Sequence, residues 1–160
     1  MKKAAGLLIC LLTALLLLLP AAAVVEQSDS FYAADYANVL SDETENWIVY
    51  FNGALEQQCS GAQLVVVTVD YLDGMYSDEY AYQLFNNWGV GSSTENNGML
   101  LLLAVQENKA WLAYGSGLTD RLSSNLVNGW FDDYFWQDFD SEQYDAAVHS
   151  IIENAILPWY

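Results

Sequence analysis

Few residues in this chain could carry acid–base or nucleophilic chemistry. The single histidine, His149, stands in a helical pattern beside an apolar stripe, which suits a structural role better than a general base. One histidine also rules out a multi-histidine zinc site. Cys59 follows a helical pattern, with no basic neighbour in sequence to stabilise a thiolate. Nucleophilic triads therefore fare badly. The pairs Gly89-Val90-Gly91 and Gly115-Ser116-Gly117 lack the fuller glycine patterns that cradle phosphate. Asp138-Phe139-Asp140-Ser141-Glu142 starts like a calcium loop and then fails. Gln143 stands where that loop needs glycine, and His149 where it needs a bidentate glutamate. What remains is acids and turn residues: Asp70 and Asp73 behind one apolar run, and Asn96-Asn97-Gly98 before another.

Those two runs set the architecture. Residues 64–69 and 99–105 are short, nearly continuous in Val and Leu, and bounded by turn residues. Such runs read as strands buried on both faces. The four leucines at positions 100–103 alone represent on the order of 6–12 kcal/mol of gross burial. Between the runs lies a helical pattern carrying Tyr80, Ala81, Leu84, Phe85 and Trp88, with Ser77 as its expected N-cap. Strand, helix, strand predicts a parallel pair with a right-handed crossover. Residues 110–114 alternate and should return as an antiparallel edge strand.

Ser41 should cap a first helix whose buried face is Trp47, Ile48, Phe51, Ala54 and Leu55. Leu118, Leu122, Leu126, Trp130 and Tyr134 step by four, predicting a third helix over 118–136, weakened near Gly129. A last helix is expected from Ser141 to about Leu157, and residues 31–40 read as an irregular lead segment. The sum is a three-layer α/β/α sandwich of Rossmann-like class, its small sheet mostly parallel with an antiparallel edge.

The N-terminus reads differently. Lys2 and Lys3, an apolar run from Ala4 to Leu19, Pro20 and then three alanines describe a secretory signal peptide over 1–23, cut after Ala23. Residues 24–30 are read as a flexible lead-in and 31–160 as one domain. If the leader stayed attached, it would tether the protein to a membrane. Only Cys59 lies beyond it, so no disulfide partner exists within the rest of the chain. All 21 acids also lie beyond it, against Lys109 and Arg121, a net charge of −19 for residues 24–160. That excludes nucleic acid and anionic membrane surfaces as partners. It suits solubility or cation binding.

The chain resembles the TPM domain family. The matching pieces are DYANVLS, GAQLVVVTVDYLDG, EYAYQLFNNWGVG, NNGMLLLLA and GSGL, spread over about 31–156. The resemblance implies a Rossmann-like fold, a place outside the cytoplasm and association with membrane protein complexes. It also implies links to calcium and to weak acid-phosphatase activity. Residue by residue it picks out Asp35, Asn96, Asn97, Gly98, Gly115 and Gly117 as binding residues. The family's acidic position after the second glycine is Thr119 here, with Asp120 next.

Two readings of function follow, with a third behind them. The first is a non-enzymatic accessory module for assembly or repair of a membrane protein complex. The second is a weak phosphatase in which Asp35, Asn97 and Asp120 hold calcium or magnesium. The third, carbohydrate or cell-wall binding, rests on aromatic content alone. Topology places Asp70 and Asp73 at the carboxyl end of the parallel strands and Asn96-Asn97 at the opposite end. It makes the asparagine turn and the Gly115 turn neighbours, and a shared site requires Asp35 beside them.

Overall fold

A computed structural model describes residues 24–160; the expected leader, 1–23, lies outside the described residues. Four strands form one sheet in the order β1 (Ala33–Asp35), β2 (Leu64–Val69), β3 (Met99–Ala104) and β4 (Lys109–Tyr114). The first three run parallel and β4 returns antiparallel to β3. β2 and β3 are buried along their whole length. Successive side chains point to opposite faces. Leu64, Val66, Met99, Leu101 and Leu103 therefore enter one core, and Val65, Val67, Leu100 and Leu102 the other. Helices cover both faces, which is the expected α/β/α arrangement.

The first helix, α1 (Asp42–Gln58), is capped by the Ser41 hydroxyl, which accepts from Thr44 N–H at 3.2 Å. Helix α2 (Ser77–Trp88) crosses between β2 and β3 and covers the second core alone. The first core is closed by α1 and by the C-terminal helices α3 (Ser124–Tyr134), α4 (Trp136–Phe139) and α5 (Tyr144–Ile151). Val24 and Val25 pack against the second core, and Val25 N–H donates to the Tyr80 hydroxyl at 3.3 Å.

Several local expectations are corrected. Residues 33–35 are a strand, not irregular chain; three residues, two of them alanine, carry no sequence signal of their own. Ser77 is the first helical residue, and Tyr76 sits at the N-cap without a side-chain bond. On α1 the buried positions are 44, 48, 51, 52 and 55, so Ala54 is exposed and Asn52 buried. The third helix starts at Ser124, not Leu118, capped by the Ser123 hydroxyl, which accepts from Leu126 N–H at 3.3 Å. It buries Val127, Trp130 and Phe131, while Leu126 and Tyr134 are exposed. A step of four overshoots a 3.6-residue turn, so a long i+4 series drifts off the core face. Phe135 breaks the helix before α4. The last helix starts at Tyr144 because Glu142 takes a left-handed φ of 58° and the Ser141 hydroxyl bonds back to Gln137 O. It then widens into a π-turn over Ile152–Ile156.

The loop between β1 and α1 is tied to α5. Ser41 N–H donates to Asp145 Oδ1 at 2.9 Å, Thr44 Oγ1 lies 3.2 Å from His149 Nε2, and Trp47 stacks on the His149 ring. Burial alone would raise the Asp145 carboxyl. Bonds from Ser41 N–H and from the Thr44 and Ser41 side chains, with His149 alongside, outweigh it and hold the carboxyl below the usual range. The fold thus favours the ionised form. Its stabilising effect is full above the ordinary aspartate value near 3.9 and is lost as pH falls through the lower folded value. Asp145→Asn should melt earlier than the parent at pH 7, with the gap closing below about pH 4. Thermal melts across that range check this, and a gap independent of pH counts against it.

Candidate functional site

The Asn96-Asn97-Gly98 turn is built by α2's exit and by β3's entrance. Gly89 ends α2 in the left-handed region at φ 65°. Ser92 O then accepts from Asn96 N–H at 2.8 Å, closing a tight polar loop in which Asn96 has φ 48°. Asn97 turns inward and is 8% exposed. Its Oδ1 accepts from Ser92 N–H at 3.1 Å, and its Nδ2 donates to Cys59 O at 2.9 Å and Ser60 O at 3.3 Å. Its carbonyl accepts from the Tyr160 hydroxyl at 2.8 Å. The side chain thus clips the end of α1 to the start of β3. Burial, with the Cys59 thiol close by, pushes the Tyr160 phenol far up, so it stays a donor.

The glycine pair after β4 meets this turn. Gly115 N–H donates to Gly98 O at 2.9 Å, and Gly117 N–H donates to Asn96 O at 3.0 Å. A Cβ on Gly117 would sit 1.8 Å from Glu95 O, and one on Gly98 would sit 2.3 Å from Val90 O. Glycine is required here because backbone packs on backbone. A second polar chain braces the same end. The Glu56 carboxylate accepts from the Tyr32 hydroxyl at 2.5 Å and from Gln63 Nε2 at 2.6 Å, and Gln63 Oε1 accepts from Gly91 N–H at 2.7 Å. Burial first, and then the bond to Glu56, push the Tyr32 phenol up to about 12.

Asp35 is elsewhere. It ends β1, level with Thr68 and, across the next pair, with Leu103. From Leu103 back to Gly98 is five residues, roughly 16 Å of strand. The structure therefore joins Asn96, Asn97 and Gly98 to Gly115 and Gly117, and leaves Asp35 at the far end of the sheet. Asp35 Oδ1 accepts from Val39 N–H at 3.2 Å and from the Thr68 hydroxyl, and Oδ2 accepts from Leu40 N–H at 2.8 Å. These bonds shape the loop that delivers Ser41 to α1. Asp120 is exposed in the turn beyond Leu118. Asp35, Asn97 and Asp120 do not converge, so they do not fit one cation. Among the described residues no three His, Cys, Asp or Glu side chains group to hold a metal. Asp70 and Asp73 lie beyond the carboxyl end of β2, where topology put them. No helix among the described residues is long and apolar enough to cross a membrane.

A family model described as TPM domain matches residues 33–156. The chain belongs to the TPM domain family. Solved structures agree with the TPM domain's fold. An N-terminal domain from P. gingivalis is 24% identical with a TM-score of 0.69, covering 79% of this chain and 80% of that one. The N-terminal domain of the cg2496 protein from Corynebacterium glutamicum is 16% identical with a TM-score of 0.61, covering 86% and 88%. The BA42 protein from Bizionia argentinensis is 20% identical with a TM-score of 0.62, covering 75% and 81%. No curated protein matches the chain. In this TPM domain sequence reading missed Asn52, buried on α1 and bonded to both backbone groups of Leu64. An asparagine at i+4 from Ile48 on the apolar face was the only available signal.

Proposed function

We propose that this TPM domain is a non-catalytic binding module, an extracytoplasmic accessory to a membrane protein complex. The observation that carries the reading is how the motif side chains are used. Both polar groups of Asn97 are bonded to backbone within the fold, and so are both oxygens of Asp35. His149 lies stacked on Trp47, and the hydroxyl 3.2 Å from its Nε2 belongs to Thr44, which is buried in the cap of α1 and bonded to the Ser41 hydroxyl, away from any open cleft. These groups position chain, and their distances favour a scaffold over a hydrolytic centre. The location outside the cytoplasm rests on the leader-like 1–23. The phosphatase alternative needs a cation shared by Asp35, Asn97 and Asp120, and no observation favours it.

The test is hydrolysis of a generic phosphomonoester with added calcium or magnesium, by the wild type and by Asp35→Ala. The expected result is no rate above the protein-free blank for either. Turnover by the wild type that Asp35→Ala abolishes while staying folded would overturn the reading.

A further inference from the structure

One groove of the molecule is unused by the contacts described so far. It has a volume of about 370 Å³ and runs between the outer side of β4 and α3. One wall wraps the open edge of β4, with Tyr114 on the sheet face that α3 covers and Trp111 and Tyr82 on the face that α2 covers. The other carries Ser124, Asn128 and Asp132, each four residues after the last, over a floor of Val127 and Phe131. Side chains four apart share a helix face, so these three form a polar ladder. All three are exposed, and among the described residues none of their side-chain groups has a hydrogen-bond or ion-pair partner. The sheet ends at this groove. The bond from Gly115 N–H to Gly98 O sets the phase of the antiparallel ladder, so Trp111 and Ala113 face β3 with their backbone groups, and Ala110, Leu112 and Tyr114 turn theirs toward the groove.

We propose that this groove binds an extended, basic segment of a partner protein, with a lysine or arginine seated against the aromatic wall and paired with Asp132. Spacing supports an extended segment. The ladder repeats every four helical residues, about 6 Å. Alternate side chains of an extended chain recur at about 6.6 Å. Three successive side chains on one side of such a segment therefore meet Ser124, Asn128 and Asp132 in turn. Charge selects the basic residue. Aromatic faces attract cations, and a carboxylate at the rim adds a partner. The domain cannot supply that cation itself. Lys109 is paired with Glu107 at 2.6 Å, and the Arg121 guanidinium lies 4.4 Å over the Trp159 ring. A second copy is no better supplied, and the net charge of −19 over residues 24–160 repels it while drawing basic segments in.

The inference rests on the binding-module reading and names the partner chemistry. The probe is an alternating threonine–lysine peptide, with a threonine–glutamate peptide as its control, in about 0.15 M salt. Backbone amide shifts locate the contact and titration gives the affinity. The lysine peptide should shift amides of β4 and α3 saturably, and the glutamate peptide should not. Asp132→Asn should weaken binding roughly fivefold, the scale of one rim-exposed charge pair. Asp133→Asn removes the same charge from the next residue, which lines a different groove, and should leave affinity within about twofold. Equal weakening by both variants would mean general attraction to an acidic surface and overturn the proposal. So would shifts in these amides from a chitin oligosaccharide but not the peptide, or self-association that occludes the groove. Any of these leaves the phosphomonoester test unaffected, so the two readings fail separately.

Discussion

Gly115→Ala is expected to cost the domain at least about 3 kcal/mol and to lower its melting temperature by roughly 10 °C. The residue has an ordinary φ of −70°, so backbone freedom is not the reason. Its new Cβ would lie 2.0 Å from Asn96 O and 2.6 Å from Asn96 C. Neither atom can retreat easily. Asn96 O is held by Gly117 N–H, Asn96 N–H is held by Ser92 O, and the neighbouring Asn97 side chain is anchored to the end of α1. Relief requires β4 to move off β3 at the pair where the sheet closes. Ordinary overpacking costs about 1–3 kcal/mol when side chains yield, and here backbone must yield. Gly129→Ala is the control. Its Cβ would meet nothing within 4 Å inside α3, so it should be neutral or stabilise by up to about 1 kcal/mol. Paired thermal melts decide, and a Gly115→Ala protein melting within about 2 °C of the parent would refute the close-packed turn.

Asn52→Ala should be comparably severe, about 2–5 kcal/mol, for a different reason. In β2 the backbone groups of Leu64, Val66 and Thr68 face β1. Val66 N–H reaches Tyr32 O and Thr68 O accepts from Tyr36 N–H, but β1 is too short to reach Leu64. Asn52 takes the missing strand's place. Its Oδ1 accepts from Leu64 N–H at 2.8 Å and its Nδ2 donates to Leu64 O at 2.9 Å and Ile48 O at 2.8 Å. The site is fully buried, so truncation strands a donor and an acceptor without water. Urea unfolding measures the loss. Hydrogen exchange locates it: the Leu64 amide should exchange faster relative to the amides of Val65 and Val67, which face β3. Unchanged protection at Leu64 would show that some other group supports that end.

Asn52 and Asp35 show where sequence reading stops. The apolar runs around Val66 and Leu101 determined two central strands buried on both faces, because a sheet covered by helices shelters nearly continuous apolar runs of six or seven residues. The helical pattern between them determined the parallel pairing, and the alternation after Lys109 the antiparallel edge. From that topology alone, the Asn97 turn and the Gly115 turn had to meet. Tertiary structure decided the rest. It paired Ala33–Asp35 as a strand too short to leave a periodic signal. That pairing set Asp35 at the carboxyl end of the sheet, roughly 16 Å from the turn that the family motif groups with it. It also left the backbone groups of Leu64 without a strand on the β1 side and made Asn52 necessary. Periodicity along a chain reports which face of each element is buried. Where one element stops against its neighbour is set by closure between distant segments, which no local pattern records.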